Sequence, residues 1–200
     1  MHMERTLLVG GFGGQGVMVL GQLLGYTACE TTDMGVTFFP TYGSEQRGGT
    51  ANCYVVISDR FIGTPVLEQL DDVIVLNEPS MVKFESRVKP GGTLFVNDTI
   101  ISTEASRDDI RVIKVPASRI ADEVGTPKVL NIVMLGAYIG FTRLLPEDKV
   151  LATILKKLGA KRPHLNPMNE DAFTQGLNLG RAARANAPAQ TTAPTSFQHR

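Results

Sequence analysis

Short continuous apolar runs alternate along this chain with stretches whose apolar residues return every three or four positions. The first run, residues 6–10 (TLLVG), is apolar throughout and ends in glycine, the pattern of a buried parallel strand. Over residues 15–31 the spacing changes, and Val17, Leu20, Leu24 and Ala28 fall on one side of a helix. Further strands are predicted at 34–39, closed by Pro40, and at 51–58, 73–76, 93–97 and 110–115. Asn77-Glu78-Pro79 reads as a helix start with proline in the first turn; that helix runs to Val88 and stops at Pro90-Gly91-Gly92. Thr126-Pro127 opens a helix over 128–143, Pro146 begins another reaching 158, and a last one spans 169 to about 185. Residues 61–70, with Pro65, read as a linker.

Strands alternating with helices predict an α/β fold: a single Rossmann-like, doubly wound, mostly parallel sheet with helices on both faces. No internal repeat is present. Residues 1–184 form the expected domain, and 185–200 (ANAPAQTTAPTSFQHR, counted from Ala185) an Ala/Pro/Thr-rich extension that is flexible or orders against a partner.

Composition narrows the function classes. Twenty basic residues balance twenty acidic ones, and no Lys/Arg-rich run is present, so nothing asks for a nucleic-acid or membrane partner. With no Trp, nine Phe and four Tyr, a stacking platform for single strands is not expected. No stretch of about 18 apolar residues marks a membrane span, and the N-terminus reads as a first strand rather than a signal peptide. Cys29 and Cys53 cannot supply the four or so ligands of a zinc or iron–sulfur site and read as buried thiols of a reducing cytoplasm. His2, His164 and His199 are isolated, so no catalytic and no metal-binding residue is assigned. Asp71-Asp72 is expected in a solvated loop, and the basic residues 156–162 at a solvated helix end, with contact to a nucleotide-like phosphate or an acidic partner as the alternative. Gly136 and Gly140, four apart, put a smooth stripe on their helix that suits close packing.

Two loops carry candidate chemistry. Gly11-Phe12-Gly13-Gly14-Gln15-Gly16 satisfies G-x-G-x-x-G between a strand and a helix, where backbone N–H groups and the helix N-terminus make a concave anion site. A dinucleotide fold also needs an acid at the end of the second strand, to hold the ribose. Here that strand ends in Pro40-Thr41-Tyr42, and Glu30 and Asp33 precede it, so the NAD reading is incomplete. The second loop, TYGSEQRGGT, is the densest polar cluster of the chain. Arg47 suits a phosphate or carboxylate, Gly48-Gly49 lets backbone approach, and Glu45 could instead tie Arg47 down structurally.

GFGGQG and YGSEQRGG, followed by ANCYVVISD and DDVIVLNEPS, resemble the gamma subunit of the 2-oxoacid:ferredoxin (acceptor) oxidoreductases. Residues 131–136 (NIVMLG) and 169–173 (NEDAF) fit the same family, and the resemblance covers about residues 4–182. It implies a cytoplasmic, heteromeric enzyme that decarboxylates a 2-oxoacid on thiamine diphosphate and Mg, passes electrons to iron–sulfur clusters and transfers the acyl group to coenzyme A. This chain would bind coenzyme A and line the active-site cleft, inactive alone. The thiamine diphosphate would belong to alpha and beta subunits and the clusters to a ferredoxin-like subunit. Carried over by position, Gly11, Phe12, Gly13, Gly14, Gln15 and Gly16 would face the coenzyme's phosphates or a partner's cleft. Tyr42, Ser44, Glu45, Arg47, Gly48 and Gly49 would form the neighbouring wall. Asn131 would either touch the ligand or satisfy a nearby loop's backbone. The alternatives are a stand-alone NAD(P)-binding Rossmann oxidoreductase and a purely structural subunit.

Overall fold

The computed structural model describes residues 3–42, 50–64 and 66–187. Among these, six strands form one mixed sheet: β1 (Glu4–Phe12), β2 (Gly35–Tyr42), β3 (Thr50–Ser58), β4 (Leu70–Val75), β5 (Val88–Asn97) and β6 (Arg111–Val115). Their spatial order is β2-β3-β1-β4-β5-β6. β1, β4, β5 and β6 are parallel neighbours; β3 lies antiparallel to both β1 and β2, so β3 alone opposes the common direction. The mostly parallel sheet expected from the alternation is therefore present, with one reversed strand inserted beside β1.

Helices lie on both faces, unequally. On one face α1 (Val17–Thr31), α3 (Ala117–Val124), α4 (Leu130–Thr142), α5 (Glu147–Gly159) and α6 (Asn166–Asn186) share a large core with the inward residues of the sheet. On the other, α2 (Glu78–Phe84) packs Met81 and Phe84 over Leu8, Val73 and Val75, with Ile101 beside them. α2 has the start read from the sequence: Asn77 Oδ1 accepts the Ser80 N–H at 2.9 Å, and proline follows at the first turn.

Several boundaries differ from the sequence reading, each for a physical reason. β2 runs through Pro40 to Tyr42, because it lies at the sheet edge, where a missing N–H does no harm. α2 stops at Phe84; one 3₁₀ turn, Glu85–Arg87, follows, and Val88 is already a buried strand residue opposite Leu70. Four residues of β5 then bulge out before Thr93 pairs with Asp72, and Gly91, at φ 74°, donates its N–H to the Asp109 carbonyl at 2.7 Å. Pro90-Gly91-Gly92 thus shapes a bulge within the strand rather than a helix stop. α3 has no counterpart among the expected elements. Cys29 is exposed on α1, whereas Cys53 is buried with its Sγ 3.5 Å from the Val17 carbonyl. Burial pushes the Cys53 thiol up to about 12.

The Asp71-Asp72 pair is not a solvated loop. Both residues belong to β4, and the Asp72 side chain is fully buried. Asp72 receives a two-pronged contact from the Arg5 guanidinium on β1, at 2.6 and 2.7 Å, and the Tyr138 hydroxyl from α4 at 3.0 Å. Burial opposes the Arg5 charge, but the carboxylate beside it outweighs burial and holds the guanidinium far above its ordinary range. Burial also pushes the Tyr138 phenol up, so it remains the donor to Asp72. Asp71 accepts from both the backbone and the hydroxyl of Thr6, at 2.9 and 2.8 Å. The carboxylates are the polar glue between β1 and β4.

α4 is buried along nearly its whole length, from Leu130 to Phe141, between the sheet and α6. Its sheet side rests on Phe95, whose ring meets Tyr138 and Phe141 edge-on at 5.4 and 5.7 Å. Its outer side presents the glycine stripe, and α6 answers with its own: a Cβ on Gly136 would collide with the Phe173 carbonyl, one on Gly140 with Leu177, one on Gly176 with Val133 and one on Gly180 with Ala137. The two helices therefore touch backbone to backbone.

Three outcomes follow. Asp72→Ala leaves Arg5 beside an uncompensated gap and lowers unfolding stability by about 3–5 kcal/mol, read from urea denaturation, whereas Tyr138→Phe costs about 1 kcal/mol. Gly176→Ala forces α4 and α6 apart and costs about 1–3 kcal/mol in the same assay. A thiol reagent at pH 8 labels one cysteine, Cys29, in the native protein and both after denaturation; rapid native labelling of Cys53 would contradict its burial.

Candidate functional site

The glycine loop lies at the carboxyl end of β1, where the chain turns onto one face of the sheet through α1. From the adjoining β4 it turns onto the other face through α2. This divergence between neighbouring parallel strands is where open α/β sheets bind ligands. Gln15 seals the floor of the crevice. Its Oε1 accepts from the Phe12 N–H (2.7 Å) and the Asn77 amide (3.2 Å), and its Nε2 donates to the Leu76 carbonyl (3.1 Å). Three of its four amide hydrogen-bonding positions are spent within the fold, so its side chain ties β1 to β4.

The remaining loop residues divide between packing and exposure. Gly11 is closed in by Val17 and the Gln15 side chain. Phe12 is partly exposed, and Gly13 and Gly14 face open space. Gly16 caps α1 in the left-handed region at φ 79°, and α1 has no side-chain cap. The Gly16 carbonyl accepts the Leu20 N–H at 2.9 Å and the Asn131 amide at 3.2 Å. A Cβ at Gly16 would stand 2.5 Å from the Asn131 amide. Of the two roles left open for Asn131, the loop-backbone contact is present; the same residue also lines the cavity described next.

That cavity, of about 670 Å³, runs along α1. Gly14, Gly16 and Asn131 form one end, and Val19, Leu23 and Tyr26 continue it along one face of the helix. The opposite wall comes from the start of α4, the end of α5 and the start of α6. Four cations line it: Lys128, Lys157, Lys161 and Arg162. Lys157 sits over the Tyr26 ring at 4.0 Å and near Glu30 at 3.8 Å. Among the described residues no carboxylate pairs with Lys128, Lys161 or Arg162. The basic residues expected at a solvated helix end are solvent-accessible, and Lys157, Lys161 and Arg162 among them also line the cavity, while Lys156 pairs with Glu30 at 3.3 Å. Lys128 and Tyr26 had no distinguishing signal in the sequence, because their neighbours in the cavity come from distant segments.

Of the second loop, Ser44, Glu45, Arg47, Gly48 and Gly49 lie outside the described residues. Tyr42 ends β2 opposite Ala51, and Thr50 opens β3 opposite Phe12, so the flanks of this loop stand at the same edge as the glycine loop. β3 separates β2 from β1, which sets the end of β2 two strand spacings, about 10 Å, from β1. Among the described residues at that end, Thr41 and Tyr42, none is the ribose-binding acid of a dinucleotide fold. Among the described residues no helix is long and apolar enough to cross a membrane, and no three His, Cys, Asp or Glu side chains converge as metal ligands.

Residues 6–179 match the family described as pyruvate ferredoxin/flavodoxin oxidoreductase. The ketoisovalerate oxidoreductase subunit VorA of Methanothermobacter marburgensis is 39% identical over 147 residues, covering 72% of this chain. The chain spans only 30% of that longer relative. Among solved structures, the gamma subunit of the keto/oxoacid ferredoxin oxidoreductase from Geobacter sulfurreducens superposes with a TM-score of 0.77 at 25% identity, over 90% of this chain and 98% of that one. The 2-oxoglutarate:ferredoxin oxidoreductase of Magnetococcus marinus, solved with 2-oxoglutarate, coenzyme A and succinyl-CoA bound, shares the fold with a TM-score of 0.80 at 23% identity, over 90% of this chain and 31% of that chain.

The two kinds of loop glycine separate by substitution. Gly13→Ala meets open space and changes stability by less than about 0.5 kcal/mol. Gly16→Ala adds the left-handed penalty of about 1–2 kcal/mol to a collision with Asn131, which thermal denaturation registers as a clear loss.

Proposed function

Because the chain belongs to the pyruvate ferredoxin/flavodoxin oxidoreductase family, we propose that it is the gamma-type subunit of a 2-oxoacid:acceptor oxidoreductase and supplies that enzyme's coenzyme A site. The observation that carries the reading is the cavity on α1, which opens from the glycine loop and is walled by four cations, three of which (Lys128, Lys161 and Arg162) pair with no carboxylate among the described residues. The coenzyme carries phosphates and a long apolar arm, and the cavity offers both chemistries: backbone N–H groups and Lys128 at one end, Val19 and Leu23 along its floor. The coenzyme's thiol would lose its proton and take up the acyl group that is left once the decarboxylated oxoacid has given two electrons to the enzyme's acceptor. This chain's part is to bind the coenzyme, neutralise its phosphates and aim it at a partner's reaction centre. By the family resemblance of their motif we also assign Tyr42, Ser44, Glu45, Arg47, Gly48 and Gly49 to coenzyme A binding.

The cysteines present do not fit an iron–sulfur cluster. Cys29 and Cys53 are too few for a cluster, and they stand one exposed and the other enclosed. In our reading the iron–sulfur clusters therefore belong to a ferredoxin-like subunit; by family resemblance we assign thiamine diphosphate and Mg to alpha and beta subunits and the complex to the cytoplasm. The oxoacid is chosen by those partners.

Reconstitution tests the reading. The chain alone gives no oxoacid-dependent reduction of an acceptor dye, and activity returns on mixing with the partner subunits; turnover by the chain alone would overturn the assignment. Within the complex, Lys128→Ala removes one charge-assisted phosphate contact worth about 1.5–3 kcal/mol. The apparent KM for coenzyme A rises tenfold or more, and that for the oxoacid stays the same.

A further inference from the structure

The cations of the cavity fall into two groups. Lys128 stands one turn before Asn131, the residue bonded to Gly16, and so belongs to the glycine-loop end. Lys157 lies on Tyr26, and Lys161 and Arg162 follow it by four and five residues. Gly16 and Tyr26 are ten residues apart on α1, a rise of about 15 Å. One anion could not use both ends. A cavity with positive charge at each end and an aromatic ring at the far one fits a ligand with two separated phosphate positions and a base next to the second.

We propose that Lys161 and Arg162, with Tyr26, form a subsite for a 3′-phosphorylated adenosine, so that this chain discriminates coenzyme A from coenzymes lacking the 3′-phosphate. The inference rests on the coenzyme A reading and extends it to one named group of the ligand. Three observations support it. Lys161 and Arg162 are exposed to the cavity and no carboxylate pairs with them among the described residues, in contrast to Lys156 and Lys157, which flank Glu30. Tyr26 is about half exposed and Lys157 covers its ring, a cation–aromatic pair beside which a purine can lie. Val19, between Gly16 and Tyr26 on α1, supplies apolar wall between the two charged ends, and Leu165 adds to the lining.

The test uses the assembled complex. Adenosine 3′,5′-bisphosphate and adenosine 5′-monophosphate are titrated by calorimetry, and steady-state KM values are measured for coenzyme A and 3′-dephospho-coenzyme A. Wild type is expected to bind the bisphosphate, and to prefer coenzyme A, by about tenfold or more. The Lys161→Ala/Arg162→Ala variant is expected to lose both preferences while its KM for 3′-dephospho-coenzyme A stays within twofold of wild type. Circular dichroism and subunit co-elution confirm that the variant folds and assembles. No preference in wild type, or a preference that survives in the double variant, overturns the inference. If Lys128→Ala still raises the KM for both coenzymes in that case, the coenzyme A reading stands and only the 3′-phosphate subsite falls. Indifference of both KM values to all three cations removes both.

Discussion

The backbone-to-backbone contact of α4 with α6 is the constraint on which the rest of this molecule depends. Gly136 and Gly140 on one helix and Gly176 and Gly180 on the other leave no room for a methyl group. At that separation the helix axes are fixed by hard contact, and many small dispersion terms replace a few interlocking side chains. The contact determines where both helices begin. Asn131 at the head of α4 reaches the Gly16 carbonyl, and Leu165 and Asn169 at the head of α6 face α1 across the cavity. The cavity wall is thus set by glycines that never touch it.

A second division is electrostatic. The fully buried carboxylate, Asp72, is satisfied by Arg5 and Tyr138, and the crevice floor is closed by the amides of Gln15 and Asn77. The polar groups of these two clusters are spent on one another, as burial without a partner would be costly. Three of the cavity cations, Lys128, Lys161 and Arg162, are left exposed with no carboxylate partner among the described residues. The same chain therefore neutralises its buried Asp72 and leaves Lys128, Lys161 and Arg162 of the cavity available, which is what a site for a polyanionic cosubstrate requires.

Most of the fold was legible because it is written in local pattern. The apolar run at 6–10, the helical spacing after Gln15 and the Asn77 cap each announce an element, and each is present. Pro40 misled, since the rule against proline in strands does not hold at a sheet edge, and edge position is not a local property. Asp71-Asp72 misled for the same kind of reason. Paired acids suggest solvent, and only the return of Arg5 and Tyr138 from β1 and α4 makes their burial tolerable. The candidate site was half legible. The glycine loop has a signature of its own, and the Gly136/Gly140 stripe indicated close packing. Lys128, Tyr26, Lys161 and Arg162 carry no motif; they become a set only when four helices converge.

The partners of Asp72 and Gly16 also lie far along the chain. Tyr138 follows Asp72 by 66 residues, and Asn131 follows Gly16 by 115. Translation proceeds from the N-terminus, so a nascent chain that has emerged only through β5 holds Arg5 and Asp72 but not Tyr138. Its α1, one of the earliest elements made, has nothing over its outer side until α4, α5 and α6 follow. Closing contacts this distant is slow, and apolar surface is uncovered meanwhile. The late helices that build the cavity are also those that end the exposure, so a ribosome that stalls before residue 176 leaves a sticky, unfinished sheet rather than a smaller working domain.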